Sequence, residues 1–444
     1  MRPPRPKTLL LALAAPCCWA RSGLAQTLPD PDIDCAALPD PKVFIEAGDT
    51  QMTFLGDLAR ELRDATDPIT LVYLPRSTCT LADNNFNARP TTETMRYVPS
   101  ASEDPTWNGT PHQCNNRTAG FLMDVGIGAT FISSCSQTIQ NEQPAGVDII
   151  PGPILGYGFV VPDGALDAAS GGITWEEAYY VFSGQGQSAN AVPWTADPNP
   201  VNGTPTVYIR NATASTLLTC AANVAPALLP ASSWLGYRKA GQDDRSSVVV
   251  AGLKNAPPGL RESTIGILGV DLYDQNRDGL DILAFQGPEQ KYGFYPDSKP
   301  SLKDKRNVRD GHYLPWSYTE YLTKVDGSHV PTNALVARLV DLVEGDKETR
   351  LVSKTGVSPA FDLDSVQIVA RNGLIPDCAM QVSRKSDGGD LSLYSPAAPC
   401  GCAFEAAAEP TLKTDPKWSA RCATCTSDAT CKTGKCRHGY CEAR

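Results

Sequence analysis

Residues 43–78 carry the pattern that most restricts what this chain can fold into. Val43-Phe44-Ile45 is a short apolar run, and it passes through Gly48-Asp49-Thr50 into a helical pattern from Met52 to Arg63. The apolar positions Phe54, Leu55, Leu58 and Leu62 recur at helical spacing. Ile69 to Leu74 is a second apolar run and ends in the polar turn Arg76-Ser77-Thr78. Strand, polar turn, helix, strand is the order of a parallel α/β sheet, in which helices connect neighbouring strands.

Later segments extend the pattern. Phe121–Ile127, Gly156–Val161, Val207–Ile209, Ile265–Val270 and Ile282–Phe285 read as strands. Thr174 is an N-cap, with Glu176 and Glu177 in the first turn of a helix through Phe182. A further helix starts near Thr213 and runs past Cys220, and Ala334–Val343 is another. Residues 184–205 and 288–310 read as loops, and no internal repeat is found.

The first residues read as a targeting segment. Arg2, Arg5 and Lys7 precede a short apolar stretch, Leu9–Ala15, and small residues lead to a cleavage point at Ala25-Gln26, with Ala20-Arg21 second. The apolar stretch is shorter than the roughly 20 residues a membrane span needs. Pro16 before Cys17 argues against lipidation. The chain is therefore expected to be exported, to the periplasm or beyond. Removing Arg2, Arg5, Lys7 and Arg21 takes the formal net charge from −10 to −14, which argues against nucleic acid as a partner. An acidic body still permits an anion site, because helix N-termini supply donors locally.

Cysteines agree with export. Of 15, Cys17 and Cys18 lie in the targeting segment. Cys35, Cys79, Cys114, Cys135, Cys220 and Cys378 are spread through the body, while Cys400, Cys402, Cys422, Cys425, Cys431, Cys436 and Cys441 crowd at the end. In an oxidising compartment these form disulfides, of a connectivity the spacing does not give, and one of the 13 is left over. A zinc reading of Cys422, Cys425, Cys436, Cys441 and His438 ranks behind disulfides for the same reason. From about residue 376 regular apolar periodicity stops, and residues 411–444 carry seven Lys/Arg against three Asp/Glu, so this part reads as a basic, disulfide-stapled appendix.

Chemistry-bearing motifs are few. Asp274, Asn276, Asp278 and Gly279 open like a calcium loop, but its twelfth position is the apolar Phe285, so a plain turn is expected and no metal site. His112, His312, His329 and His438 sit in no metalloprotease pattern, and there is neither a nucleophile elbow nor a phosphate-binding loop. No catalytic residues and no cofactor are expected. The sequons at Asn108, Asn116, Asn202 and Asn211 read as chance.

Three segments taken together resemble a known family. They are Ile173-Thr174-Trp175-Glu176-Glu177-Ala178 with Phe182 and Ser183-Gly184, then Arg210-Asn211-Ala212-Thr213-Ala214-Ser215-Thr216, then Val308-Arg309-Asp310-Gly311-His312-Tyr313-Leu314-Pro315-Trp316 leading to the Ala334–Val343 helix. Their order is similar to that of the substrate-binding protein of the bacterial phosphate ABC transporter, over roughly residues 43–375. The resemblance implies a two-lobed periplasmic-binding-protein fold of type 2, with two crossover strands and a ligand between the lobes. It implies lobe one over 43–157 and 284–375 and lobe two over 158–283, between the signal peptide read over 1–25, the Pro- and Asp-rich linker over 26–41 and the cysteine-rich tail over 376–444. It also implies a monomer that binds a phosphate-like inorganic anion and works with an ABC permease.

The implied ligand residues are Gly48, Asp49 and Thr50 at the first helix, Ser77 and Thr78 after the second strand, Arg210, and Ser215 and Thr216. Backbone donors at helix starts, hydroxyls and a guanidinium suit an oxyanion. This chain departs from the family at Ala214 and Ser215, where the family has Ser and Gly, and at Ala129, where the family has an Asp; Asp124 lies too early to replace it. The alternative is a two-lobed surface or interaction protein that has lost its ligand, with the tail contacting a partner. An exported hydrolase ranks last.

Overall fold

The computed structural model describes residues 33–116, 120–165, 171–182, 193–194, 206–211, 213–224, 245–345, 347–432 and 434–443. The targeting segment and most of the 184–205 loop lie outside these residues.

Strands β1 (Lys42–Gly48), β2 (Thr70–Arg76), β3 (Met95–Tyr97), β4 (His112–Cys114) and β5 (Val125–Gly128) build the sheet of lobe one. Helices α1 (Met52–Asp64) and α2 (Thr78–Phe86) connect its parallel members. Helix α1 buries Phe54, Leu55, Leu58 and Leu62, the stripe its spacing predicts, against the sheet core. Strands β1, β2 and β5 are parallel neighbours. The predicted strand at 121–127 begins only at Val125; Phe121 instead forms an isolated bridge to Thr91 and stacks on Phe44.

Helix α3 (Gln137–Asn141) leads to β6 (Val147–Pro162), which joins the lobes. Its first part pairs with β12 (Trp316–Lys324) in lobe one, and its last part pairs with β9 (Thr264–Gly269) in lobe two. Lobe two continues with β7 (Gly172–Thr174), α4 (Trp175–Phe182), β8 (Thr206–Tyr208), α5 (Ser215–Val224) and α6 (Ser246–Lys254). After β9 come α7 (Val270–Gln275), β10 (Leu280–Ile282) and β11 (Ala284–Gln286). Strand β10 returns antiparallel beside the end of β6, within lobe two. The predicted strand at 282–285 is thus split at Leu283 between two partners, β10 on β6 and β11 on β7. The strand order β4-β3-β2-β1-β5-β12-β6-β9-β8 is that of a two-lobed α/β fold sharing the β12–β6 seam.

The turn that opens like a calcium loop serves a different purpose. Asp274 is met by Lys305 at 2.7 Å and Arg277 at 2.6 Å, and both cations also pair with Asp297. Asp278 pairs with Lys254 at 3.0 Å.

After helices α8 (Arg306–Arg309), α9 (Ala334–Glu344) and α10 (Ser365–Ala370), the C-terminal part is disulfide-rich and is built onto lobe one. Its helix α11 (Gly401–Ala408) sets Phe404 into the main core, and Glu405 forms a buried ion pair with Arg309 at 2.7 Å. Helix α12 (Pro416–Arg421) adds Trp418, whose indole N–H donates to the same carboxylate. Among the described residues six disulfides form: Cys35–Cys114, Cys79–Cys135, Cys378–Cys400, Cys402–Cys422, Cys425–Cys436 and Cys431–Cys441. The leftover thiol is Cys220, buried in α5. Among the described residues no helix is long and apolar enough to cross a membrane.

Candidate functional site

The site lies where strands end and helices begin, on the facing sides of the two lobes. Gly48 closes β1, and a turn of 3-10 helix, Asp49–Gln51, leads into α1. A methyl group on Gly48 would stand 3.4 Å from Ala129 Cβ, so the two loops lie side by side. Thr78 opens α2, and its buried hydroxyl accepts from Ala129 N at 3.1 Å. In lobe two, Arg210 follows β8, Ser215 and Thr216 open α5, Ser246 opens α6, and Asp271 lies in the first turn of α7 after β9. Carboxyl ends of parallel strands are where open α/β sheets bind ligands, because helix N-termini converge there.

The lobes meet through Asp49. Its Oδ2 lies 3.2 Å from Arg210 Nη1 and accepts from Ser246 N at 2.9 Å, while Arg210 also donates to Ser246 Oγ. Arg210 is only 5% exposed, so this is a cleft arginine already facing a carboxylate. Around it are buried polar atoms without a protein partner among the described residues: Thr50 Oγ1, both amide atoms of Gln51, and Thr216 Oγ1. Buried polar groups are nearly always hydrogen-bonded, so such a set at opposed helix starts marks a place that a small polar ligand would complete.

The other predicted residues have internal roles. Ser215 bonds the hydroxyl of Tyr157, which donates to Ala129 O, so this pair ties the start of α5 to the end of β5. Thr78 is spent on Ala129, and Ser77 shares a hydrogen bond with Thr80 at 2.7 Å. Gly48 contributes close approach between loops. Thr50, Arg210 and Thr216 therefore keep the strongest claim on a ligand, with Asp49 as the acceptor that orients Arg210.

Sequence reasoning missed Gln51, Ser246, Asp271 and Tyr157. Gln51 adjoins a predicted residue and could have been found by extending the helix start by one position. The others carry no local signal.

Burial controls the electrostatics. Burial pushes the Asp271 carboxyl up to about 7, and the nearby charges of Asp274 and Asp49 add to the rise. Glu320, on β12, is pushed up to about 8 by burial, although Ile132 N donates to it at 2.6 Å. The four histidines lie elsewhere, beside Asp104, Asp310, Asp148 and Asp364. The arrangement can hold and orient a small anion by hydrogen bonds and one guanidinium.

No family model matches this chain, and no curated protein does. Solved structures do. A putative phosphate ABC transporter substrate-binding protein with bound phosphate from Clostridium perfringens is 9% identical, with 76% of this chain and 99% of that one covered, at a TM-score of 0.46. PstS from Borrelia burgdorferi is 12% identical over 76% of this chain and 98% of its own, at 0.38. The phosphate-binding protein from Stenotrophomonas maltophilia is 11% identical over 76% and 90%, at 0.42.

Proposed function

We propose that this is an exported solute-binding protein that holds a small, phosphate-like oxyanion between its lobes, for transport through an ABC permease or for sensing, and that it performs no chemistry on it. One observation carries this reading. Buried, partnerless Thr50 Oγ1, Gln51 amide and Thr216 Oγ1 stand at opposed helix starts beside Arg210. The disulfides support export, since such bonds persist in oxidising compartments.

Thermal unfolding with phosphate, sulfate and related oxyanions tests it. Ligand at about one hundred times its dissociation constant adds about 2.7 kcal/mol of stability. Arg210→Ala should abolish that gain. No gain with any oxyanion in the wild type would refute the reading. A second reading rests on Asp49: because this carboxylate already faces Arg210, the fold could persist as an interaction protein without a solute.

A further inference from the structure

The C-terminal part sends a finger between the two lobes. Val382 and Ser383 pair antiparallel with Leu393 and Ser392, and residues 384–391 project from that base. The Cys378–Cys400 disulfide closes the segment that carries the finger, and Gln381 N donating to Arg309 O at 2.8 Å fixes its base to lobe one. At the tip, the buried Asp387 carboxylate collects donors from both lobes. Its Oδ2 accepts from Thr130 Oγ1 at 2.5 Å, Ser134 Oγ at 2.5 Å and Phe131 N at 3.3 Å, all in lobe one. Its Oδ1 accepts from Thr219 Oγ1 at 3.4 Å, on α5 of lobe two. Thr130 and Thr219 also touch one another, hydroxyl to hydroxyl, at 2.7 Å.

A second grip lies three residues earlier. Arg384 donates to Asn223 Oδ1 of α5 at 2.7 Å and to Leu314 O at 2.6 Å, and its guanidinium sits 3.7 Å above the Trp316 ring. Gly388 has φ +66°, and a Cβ there would stand 2.1 Å from Ala222 O, so the tip backbone lies flush on α5. Three residues of chain span at most about 11 Å. Arg384 and Asp387 each bond both lobes, so neither keeps all its partners when the lobes swing apart.

We propose that the 382–393 finger is an intramolecular latch, holding the lobes closed through Asp387 and Arg384 when no solute is bound. The holding contacts do not involve the solute residues, so the latch stands or falls independently of the oxyanion reading. In a lobed binder without such a strap, closure depends on the ligand bridging the lobes. Here a tethered carboxylate and guanidinium do that bridging, and lobe opening requires the finger to withdraw.

Spin labels at exposed Asn108 of lobe one and Glu262 of lobe two, read as a distance distribution on the full chain without oxyanion, test the latch. The wild type should give one short distance that phosphate leaves unchanged. Asp387→Ala should shift the ligand-free distribution to longer, broader distances, and Gly388→Ala, which drives the tip off α5, should do the same. An open wild type, or wild-type distances in both variants, would overturn the latch. So would loss of the folded circular-dichroism spectrum in both, which would make the finger a folding element instead. Phosphate binding by the wild type is scored separately, so a failed latch and a failed oxyanion site remain distinguishable.

Discussion

Asp271→Asn should make this protein less sensitive to alkali. Asp271 is 3% exposed, and burial raises its carboxyl from 3.8 to about 7. Around it stand Asp274 on its own helix, Asp49 across the cleft and Gly373 packed over its Cα. Lys303, Lys305 and Asn372 line the same 260 Å³ cavity, but Lys305 is held by Asp274 and Asp297. The unfolded chain releases this proton near its ordinary pKa, and the folded chain releases it only near neutrality. The group's contribution to stability is therefore intact below the unfolded value and is lost as pH rises through the folded one. At about 1.4 kcal/mol per pKa unit, the loss is about 2 kcal/mol near pH ~5 and about 4 kcal/mol near pH ~8. Asparagine does not ionise, so the wild type should lose about 2–3 kcal/mol relative to Asp271→Asn across that window. Urea unfolding of both proteins at the two pH values measures the difference directly. A stability gap that stays constant across the window would refute the assignment of this titration to Asp271.

The packing of the tail and the loops gives three further expected outcomes. Arg309→Ala leaves the Glu405 carboxylate short of its buried partner and should cost about 3–5 kcal/mol, seen as early proteolysis within residues 376–444. Burial opposes charge on His438, but the Asp364 carboxylate outweighs it and raises the pKa above 6.5, so its stabilisation is full below that value and fades as pH rises through the folded one. His438→Asn should accordingly lower the melting temperature more in mildly acidic than in alkaline buffer, and an equal drop in both would refute the pairing. Replacing Cys79 and Cys135 by Ser opens a 56-residue separation and should cost about 4 kcal/mol by loop entropy, read by denaturant unfolding.

What could be read from the sequence was what local spacing encodes. Helix α1 and strands β1 and β2 follow from short-range apolar periodicity, while Arg210 was singled out by the resemblance, with its place at a strand end before a helix start as the local support. Strand β12 was not legible: Ser317, Thr319, Glu320 and Thr323 interrupt its apolar residues, yet eight of its nine positions are buried. Three of those polar groups are satisfied by partners far away in sequence, Thr319 by Pro153 O, Thr323 by Asp124 O and Glu320 by Ile132 N. The same reason explains the site. Asp49 meets Ser246 across 197 residues, and Thr130 meets Asp387 across 257. The resemblance implies that Ala129 replaces an acidic acceptor in lobe one. In space, the tail delivers the carboxylate of Asp387 to the next residue, Thr130, together with Phe131 N and Ser134. An acid absent from the lobe-one loop is thus present beside it on a tethered arm. That placement lets the acid bond Thr219 of the opposite lobe as well as the lobe-one loop.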